Sequence, residues 1–369
     1  MRIVLTGGGT GGHIYPALTL WRHLSQKHPD AEVLYIGTSK GLEQGIVGHE
    51  GIRFEVIRAA GLKREVSLKA IRTVLETYAG FRRAKRILKE FRPDVVVGTG
   101  GYVTLPVVYA ASKLRIPSVI WEANARPGLT NQLCAKKAEA VAVSFPGTER
   151  WFKGAKRVAL TGNPRASEVQ HITPELQTQA RQTYGIDAAK KLILCFAGSR
   201  GAETINRVLV ELLPRLEERP DWQMLYVTGE AHYQEIDRMA SPVPSNVRIL
   251  PFIHDMPAVL PQAAVAVTRA GGATLAEICS LGVPSILIPS PYVTANHQEE
   301  NAKPLVEHKA AKMIRESDLS AGTLWDALAK VLDSDEHVQM RENALQLATP
   351  QAVADLYDLV MRAAGANLQ

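Results

Sequence analysis

The feature that most constrains the fold is a pattern that occurs three times: a short apolar strand, a glycine-rich turn and a helix. It covers residues 2–24, 95–114 and 192–213. Glycine allows the sharp turn between strand and helix, and the turn leaves backbone N–H groups pointing away from the start of the helix. The pattern predicts an α/β fold with parallel sheets.

Short apolar segments alternate with helical intervals along the rest of the chain. The predicted strands are residues 33–36, 95–97, 118–121, 140–143, 192–196, 225–227, 265–267 and 285–288. Strands that alternate with helices form parallel sheets through right-handed crossovers. Because the strand–glycine–helix pattern opens the chain and returns near Leu192, we expect two Rossmann-like doubly wound domains facing a cleft.

The boundary between the two domains is predicted at Gly162-Asn163-Pro164, a tripeptide that does not continue regular structure. This gives an N-terminal domain of residues 1–163 and a C-terminal domain of residues 164–340. A chain of 369 residues exceeds the size at which a single core keeps growing, which favours the division. We expect a helix at about residues 341–369 to pack back on the first domain.

The net charge and the cysteines indicate the kind of partner and the kind of compartment that suit the chain. The formal net charge of +6 favours anionic partners such as nucleotides, polyphosphates, acidic lipid headgroups and nucleic acid, and charge alone does not choose between them. Three widely spaced cysteines are typical of buried thiols in a reducing compartment. The apolar run before Gly7 is too short for a signal-peptide core, and glycine and prolines interrupt the uncharged stretch 278–296. We therefore expect no signal peptide and no transmembrane helix.

The first glycine-rich loop, residues 6–13, has the spacing G-x-G-x-x-G between a strand and a helix. Backbone N–H groups in this position bind anions. A dinucleotide site would also need an acidic residue at the end of the second strand, but that strand ends Ile36-Gly37-Thr38. The sequence therefore disfavours a dinucleotide and leaves a diphosphate, an acceptor group or a simple tight turn as alternatives.

Residues 98–102 and 197–201 form two more glycine-rich loops, each after a predicted strand, where ligands bind in open α/β sheets. The most specific segment runs from Thr268 to Glu277. There a strand leads through two glycines into a helix start that can face a phosphate, with Thr274 as a hydroxyl donor. One turn later, the two oxygens of Glu277 can accept both hydroxyls of a ribose, although a solvated helix residue is the alternative.

These segments together resemble the MurG family, the bacterial peptidoglycan N-acetylglucosaminyltransferases with the GT-B fold. The resemblance lies in residues 6–13, 98–104, 162–165, 269–277 and 296–298. It implies inverting transfer of N-acetylglucosamine from UDP-N-acetylglucosamine to the C4 hydroxyl of the muramyl sugar of lipid I, giving lipid II. It also implies a part in cell-wall biogenesis, cell shape and cell division, without a metal or other cofactor.

Taken position by position, the resemblance assigns roles to named residues. The UDP-N-acetylglucosamine site would comprise Thr10, Gly11, Gly12, Asn124, Arg165, Ser199, Ile253, Thr274, Glu277 and Gln298. The acceptor-side loop would be Gly100, Gly101 and Tyr102, and the candidate catalytic residues are His13 and Glu122. Within the donor site the backbone of Ile253 would face the uracil, Glu277 the ribose, Gln298 the sugar, and Ser199 with Thr274 the phosphates.

His13 is the leading candidate for the general base, because histidine exchanges a proton near neutral pH and this one opens a helix. The alternative is that it only caps or positions the loop. A helix N-terminus and backbone donors can stabilise a departing diphosphate without a metal. The sequence Asp333-Ser334-Asp335 ends a helical stretch and is typical of a solvated helix end rather than of a metal site.

Residues 62–92 carry many more basic than acidic side chains, with Ile71, Leu75, Tyr78 and Phe81 at near-helical spacing. A solvated helix packed on its own sheet and an interfacial surface both explain this pattern. A lipid-linked acceptor favours reversible docking on anionic headgroups at the cytoplasmic face of the membrane, as a peripheral protein.

Three other functions stay open. The nearest is a UDP-N-acetylglucosamine 2-epimerase-like isomerase, followed by a transferase that acts on a small natural product. The third is a nucleotide-sugar sensor or nucleic-acid binder, but the aromatic stacking residues and recognition motifs of a nucleic-acid binder are not evident, so we expect no nucleic-acid partner.

Overall fold

The computed structural model describes residues 1–39, 42–61, 68–198, 201–293 and 296–365, apart from the side chains of residues 68–72 and 171. The chain divides into two compact units. The first comprises residues 1–168 and 351–369, and the second comprises residues 169–350.

The first unit contains a parallel sheet of seven strands in the order β3-β2-β1-β4-β5-β6-β7. Its strands are β1 (Arg2–Gly7), β2 (Glu32–Gly37), β3 (Arg53–Val56), β4 (Val95–Gly100), β5 (Ser118–Glu122), β6 (Ala140–Val143) and β7 (Val158–Leu160). Its helices are α1 (Gly11–Lys27), α2 (Glu43–His49), α3 (Leu68–Phe91), α4 (Thr104–Lys113), α5 (Leu129–Ala135) and α6 (Arg165–Glu168), together with the last helix of the chain, α15 (Ala352–Ala363).

The second unit contains a parallel sheet of six strands in the order β10-β9-β8-β11-β12-β13. Its strands are β8 (Lys191–Phe196), β9 (Trp222–Val227), β10 (Val247–Leu250), β11 (Val265–Thr268), β12 (Ser285–Leu287) and β13 (Ala311–Met313). Its helices are α7 (Pro174–Tyr184), α8 (Glu203–Leu212), α9 (Tyr233–Met239), α10 (Met256–Val259), α11 (Gly272–Leu281), α12 (His297–Glu307), α13 (Ala321–Leu332) and α14 (Glu336–Gln346). The prediction of two doubly wound α/β domains is confirmed.

Both faces of the first sheet are covered, which explains why its central strands are continuous apolar runs. Side chains alternate along β1: Ile3 and Leu5 pack with α1 and α15, while Val4 packs with α3 and α4. The central strand is therefore held from both sides, and its carboxyl end has a fixed position.

The helix α15 belongs to the first unit because its apolar side packs on α1. Leu356 and Val360 are fully buried in the same core as Leu18 of α1. The preceding helix α14 stays with the second unit, where Met340 is buried in the core. The chain thus crosses between the units at residues 350 and 351, about ten residues after the position expected from the sequence.

The other crossing lies between residues 168 and 169, five residues after the predicted boundary. The short helix α6 stays with the first unit because its side chains bind α1 and α15. Thr19 and Arg22 of α1 donate hydrogen bonds to Glu168, and Ser167 Oγ accepts one from Val353 N at 3.2 Å.

Two further expectations concern the whole chain. Cys134, Cys195 and Cys279 are buried free thiols, as their spacing predicted, and burial raises the pKa of each. Across the part of the chain that the structure describes, no helix combines the length and the apolar character that crossing a bilayer requires.

Candidate active site

Two glycine-rich loops of the first unit lie side by side because the strand order reverses between β1 and β4. The connection after β1 leads to β2 on one side, and the connection after β4 leads to β5 on the other. Gly7 at the end of β1 is paired with Gly100 at the end of β4. Such a reversal opens a crevice at the carboxyl ends of the strands, where open α/β sheets bind their ligands.

The two loops contact each other so closely that side chains would not fit. Gly8 N donates a hydrogen bond to Gly100 O at 3.2 Å. Gly101 has φ +81°, and a Cβ there would lie 2.3 Å from Gly8 O. Gly100 has φ +109°, and its Cβ would lie 2.7 Å from Nδ1 of His13. Only glycine suits both positions, because they need a left-handed backbone as well as space.

His13 lies half-buried in the first turn of α1, over the end of β4. Its Nδ1 is 3.0 Å from the backbone oxygen of Thr99, and its own backbone oxygen accepts a 2.5 Å hydrogen bond from Thr99 Oγ1. Thr10 and Gly12 are exposed beside it. The first turn of α1 contains no acidic side chain, so the positive end of the helix is available to an anion.

A buried carboxylate that the sequence did not single out supports the first loop from below. Glu43 is fully buried and accepts hydrogen bonds at Oε1 from Thr38 N and Thr38 Oγ1, at 3.1 and 2.7 Å. Its Oε2 lies 3.5 Å from Gly9 N. A Cβ on Gly8 would come within 2.6 Å of the carboxylate, so this side chain fills the space under the loop.

Glu122, at the end of β5, is buried, and each of its oxygens accepts two hydrogen bonds. Oε1 accepts from Asn124 N at 2.9 Å and Asn124 Nδ2 at 3.2 Å, and Oε2 accepts from Asn131 Nδ2 at 2.8 Å and Gly128 N at 3.2 Å. Burial raises the pKa of the Glu122 carboxyl, and these hydrogen bonds act in the opposite direction. A carboxylate engaged in this way fixes residues 123–128, so the geometry favours a positioning role over proton transfer.

Arg165 begins α6, directly after the predicted boundary tripeptide. Its Nη1 forms an ion pair with Glu168, and its guanidinium lies 6.0 Å from the ring centre of Tyr15 on α1. Asn163 Oδ1 accepts a 3.1 Å hydrogen bond from Arg165 N, which orders the start of the helix. The structure therefore places Arg165 close to the first turns of α1.

The second unit has its own reversal of strand order, between β8 and β11. Thr268 at the end of β11 is paired with Phe196 at the end of β8, so the loops that follow these strands are neighbours. Ser199, predicted to contact the phosphates, lies outside the described residues. The described side of this crevice is the loop from Arg269 to Gly271 and the start of α11.

The loop before α11 is held from beneath by buried side chains. Asn301 Nδ2 donates a 3.2 Å hydrogen bond to Ala270 O, and Arg269 donates one of 3.0 Å to Ile288 O and pairs with Glu316 at 2.5 Å. The sequence did not single out Asn301 or Glu316 because they are remote along the chain. Their contacts hold the backbone that leads into α11.

The start of α11 is suited to an anion. Gly271 precedes its first turn in an extended conformation, and the turn contains no acidic side chain. Thr274 is half-buried in that turn, with Oγ1 3.8 Å from where a Cβ on Gly271 would lie. Glu277 follows one turn later and is 9% exposed. The structure thus places Thr274 and Glu277 in the first two turns of a helix whose N-cap, Gly271, has no side chain to cap it.

Two other predicted donor residues lie in loops after the strands of the second unit. The side chain of Ile253, after β10, is buried, so a ligand would meet its backbone. Gln298, in the first turn of α12, accepts a 2.9 Å hydrogen bond at Oε1 from Ser290 N. That bond ties the loop after β12 to α12.

The Asp-Ser-Asp sequence begins next to Leu332, whose backbone oxygen accepts a hydrogen bond from Lys191 at the amino end of β8, opposite the carboxyl ends that carry the loops. Asp333 accepts hydrogen bonds from Arg219 at 2.5 and 2.9 Å, which lower its pKa. Throughout the described ranges, no three His, Cys, Asp or Glu side chains are grouped as metal ligands would be.

Comparison with known proteins gives a consistent result for both units. The glycosyltransferase family 28 N-terminal domain matches residues 3–143, and the family 28 C-terminal domain matches residues 192–357. A protein of Listeria monocytogenes serotype 4b is 47% identical over 98% of this chain and 99% of its own length. One of Bacillus pumilus is 46% identical over 98% of each. Both are named UDP-N-acetylglucosamine--N-acetylmuramyl-(pentapeptide) pyrophosphoryl-undecaprenol N-acetylglucosamine transferase.

Solved structures show the same fold at lower identity. MurG of Acinetobacter baumannii superposes with a TM-score of 0.79 and 27% identity, covering 98% of this chain and 99% of that one. The UDP-N-acetylglucosamine 2-epimerase of Neisseria meningitidis, bound to UDP-N-acetylglucosamine, gives a TM-score of 0.69 at 17% identity, over 98% and 100% of the two chains. At that identity the likeness concerns the fold alone.

The Glu122 network predicts the effect of replacing Glu122 with Gln. The new amide group would face two N–H donors in a buried site, so we expect a loss of about 1–3 kcal/mol in the free energy of unfolding. Hydrogen–deuterium exchange should be faster at the amides of Asn124 and Gly128. Glu139→Gln is the matched control: its carboxylate pairs with Lys156 on the surface, and we expect a change within about 0.5 kcal/mol. Unchanged stability and exchange in Glu122→Gln would contradict the positioning role.

Proposed function

The chain belongs to the MurG family within glycosyltransferase family 28, and from this membership we propose a reaction for it. It transfers N-acetylglucosamine from UDP-N-acetylglucosamine to the C4 hydroxyl of the muramyl sugar of lipid I, giving lipid II for peptidoglycan synthesis. The observation that carries the proposal is 47% identity to a transferase of that name over 98% of the chain. The two glycine-lined crevices supply the sites that the reaction needs.

The donor diphosphate binds at the start of α11 in this proposal. Two phosphates carry concentrated negative charge, and the N–H groups of the first turn with the hydroxyl of Thr274 are suitable donors. Glu277, one turn on, accepts hydrogen bonds from the ribose hydroxyls. Ser199, Ile253 and Gln298 complete the donor site of the second unit in this proposal. The assignment of Asn124, Arg165 and residues 10–12 to the donor rests on the family resemblance.

The acceptor hydroxyl loses its proton to His13. As the C4 oxygen bonds to the anomeric carbon from the opposite side, the bond from that carbon to the phosphate oxygen breaks, which inverts the anomeric centre. The departing UDP carries the electron pair of the broken bond, and helix N–H groups stabilise its charge as they do other developing anions. Gly100 lies against the ring of His13, and with Gly101 and Tyr102 it forms the acceptor side in this proposal.

The reaction itself is tested by measuring UDP release from UDP-N-acetylglucosamine with and without a lipid I analogue. The proposal expects release that depends on the analogue, with a disaccharide product detected by mass spectrometry. Conversion of free UDP-N-acetylglucosamine into its 2-epimer without any acceptor would instead identify the isomerase activity.

We also propose that the first unit docks reversibly on anionic lipid at the cytoplasmic face of the membrane. An apolar groove of about 340 Å³ lies between α3 and α4. It is lined by Val74, Thr77, Tyr78, Phe81, Leu105, Pro106, Tyr109 and Leu133.

The surface around this groove combines the two properties that interfacial binding requires. Val74, Leu75 and Tyr78 are 57%, 62% and 59% exposed, which is unusual for apolar side chains on one helix face. Exposed Arg82 follows on the same helix, and so does exposed Arg83, which pairs with Glu55 at 3.0 Å. The groove also adjoins the acceptor-side loop, since Leu105 in the first turn of α4 lies three residues after Tyr102.

Liposome cosedimentation of Tyr78→Glu tests the docking surface. A carboxylate placed in the apolar patch opposes both burial and the attraction of anionic headgroups, so we expect at least a several-fold loss of binding to vesicles that contain phosphatidylglycerol. Val338→Glu adds the same charge at an apolar side chain of the second unit that is 47% exposed, and should bind like wild type. Equal loss of binding in both variants would contradict the proposed docking surface. So would wild-type binding that does not depend on the anionic lipid content.

A further inference from the structure

Thr99 holds His13 by two separate contacts, and none of the roles above includes it. Its side chain is fully buried at the end of β4. Oγ1 donates a 2.5 Å hydrogen bond to the backbone oxygen of His13, and the backbone oxygen of Thr99 lies 3.0 Å from His13 Nδ1. One residue therefore fixes both the first turn of α1 and the imidazole ring that the turn carries.

The second contact determines the tautomer of the ring. A backbone carbonyl oxygen can only accept, so the hydrogen bond requires a proton on Nδ1 of His13. In the neutral ring the lone pair is then on Nε2. A base that must accept a proton through Nε2 needs this tautomer, because the other one already carries a proton there.

The surrounding backbone leaves little freedom for another arrangement. A Cβ on Gly7 would lie 2.1 Å from Thr99 Oγ1, so the absence of a side chain at Gly7 is what admits the hydroxyl. The same hydroxyl lies 3.4 Å from Thr6 O, which aligns it with the end of β1. Gly100 leaves space for the ring in the same way. The loops thus enclose the hydroxyl and the imidazole together.

We propose that Thr99 is the positioning residue of His13. Its hydroxyl fixes the start of α1, and its carbonyl fixes the Nδ1–H tautomer, so that Nε2 is the atom that takes the proton of the acceptor hydroxyl. The inference rests on the proposed role of His13 as general base, and it adds the residue and the atom through which that role is exercised.

Steady-state kinetics of four variants separate positioning from general packing. Thr99→Val removes the hydroxyl at nearly constant volume, and we expect kcat to fall roughly tenfold while the KM of both substrates stays within twofold. Thr99→Ser keeps the hydroxyl and should restore most of kcat. Ser118→Ala is the matched control in the same sheet, because it removes a buried hydroxyl that has no hydrogen-bond partner among the described residues. Its kcat should equal that of wild type.

The fourth variant, His13→Ala, separates the two levels of the proposal. A kcat near wild type in His13→Ala overturns the base itself. A low kcat in His13→Ala together with a wild-type kcat in Thr99→Val overturns only the positioning role. Should Thr99→Val fail to fold, low kcat in Thr99→Ser with intact folding would also contradict the proposal, since the hydroxyl is present there.

The tautomer is observed directly by ¹⁵N NMR of protein labelled at histidine. The ring resonances of His13 are those missing from His13→Ala. The proposal expects a protonated Nδ1 and an unprotonated Nε2 in the neutral ring of the wild-type protein. A neutral ring with its proton on Nε2 would overturn the proposal whatever the kinetic results.

Discussion

Each unit depends on the pairing of two parallel strands whose connections leave in opposite directions. β1 with β4, and β8 with β11, end side by side, and no crossover covers the gap between them. The chain must turn there within a few residues, so glycine takes the left-handed positions and backbone N–H groups remain at the edge. The location of both candidate sites follows from this constraint.

The two crevices nevertheless differ in their chemistry. In the first unit, side chains fill the space around the loops: Glu43 contacts Gly9, and Thr99 contacts His13. Such a site holds a titratable ring in one orientation. In the second unit the helix start after Gly271 has no acidic side chain, and only buried residues behind it fix the backbone. Proton transfer suits the first crevice and a diphosphate suits the second.

The sequence predicted the central strands because they are covered on both faces and are therefore uninterrupted apolar runs. It did not predict β3, β7, β10 and β13, and these are the four edge strands of the two sheets. An edge strand is short and pairs with a neighbour on one side only. Segments such as Arg53–Val56 and Ala311–Met313 therefore carry charged residues and are not the apolar runs that predict a strand. The predicted domain boundaries also differ from the observed ones. The contacts of α6 with α1 and of α15 with α1 join residues far apart in the sequence, and no local pattern indicates them.

The site residues divide in the same way. His13 and Thr274 lie within glycine-rich motifs, so the sequence alone was enough to identify them as candidate site residues. Glu43 and Asn301 support the loops from other helices, and Thr99 was part of a motif but its bond to His13 depends on how two loops meet. For Glu122, position alone did not show that four N–H donors surround the carboxylate.

The central claim is that a diphosphate binds at the carboxyl end of β11, on the helix that follows it. A crystal structure of the protein with UDP tests this most directly. The account predicts phosphate oxygens within about 3.2 Å of the backbone N–H groups in the first turn of α11 and of Thr274 Oγ1, with the ribose hydroxyls on Glu277. A diphosphate bound elsewhere, with the start of α11 left without contact to the nucleotide, would contradict it.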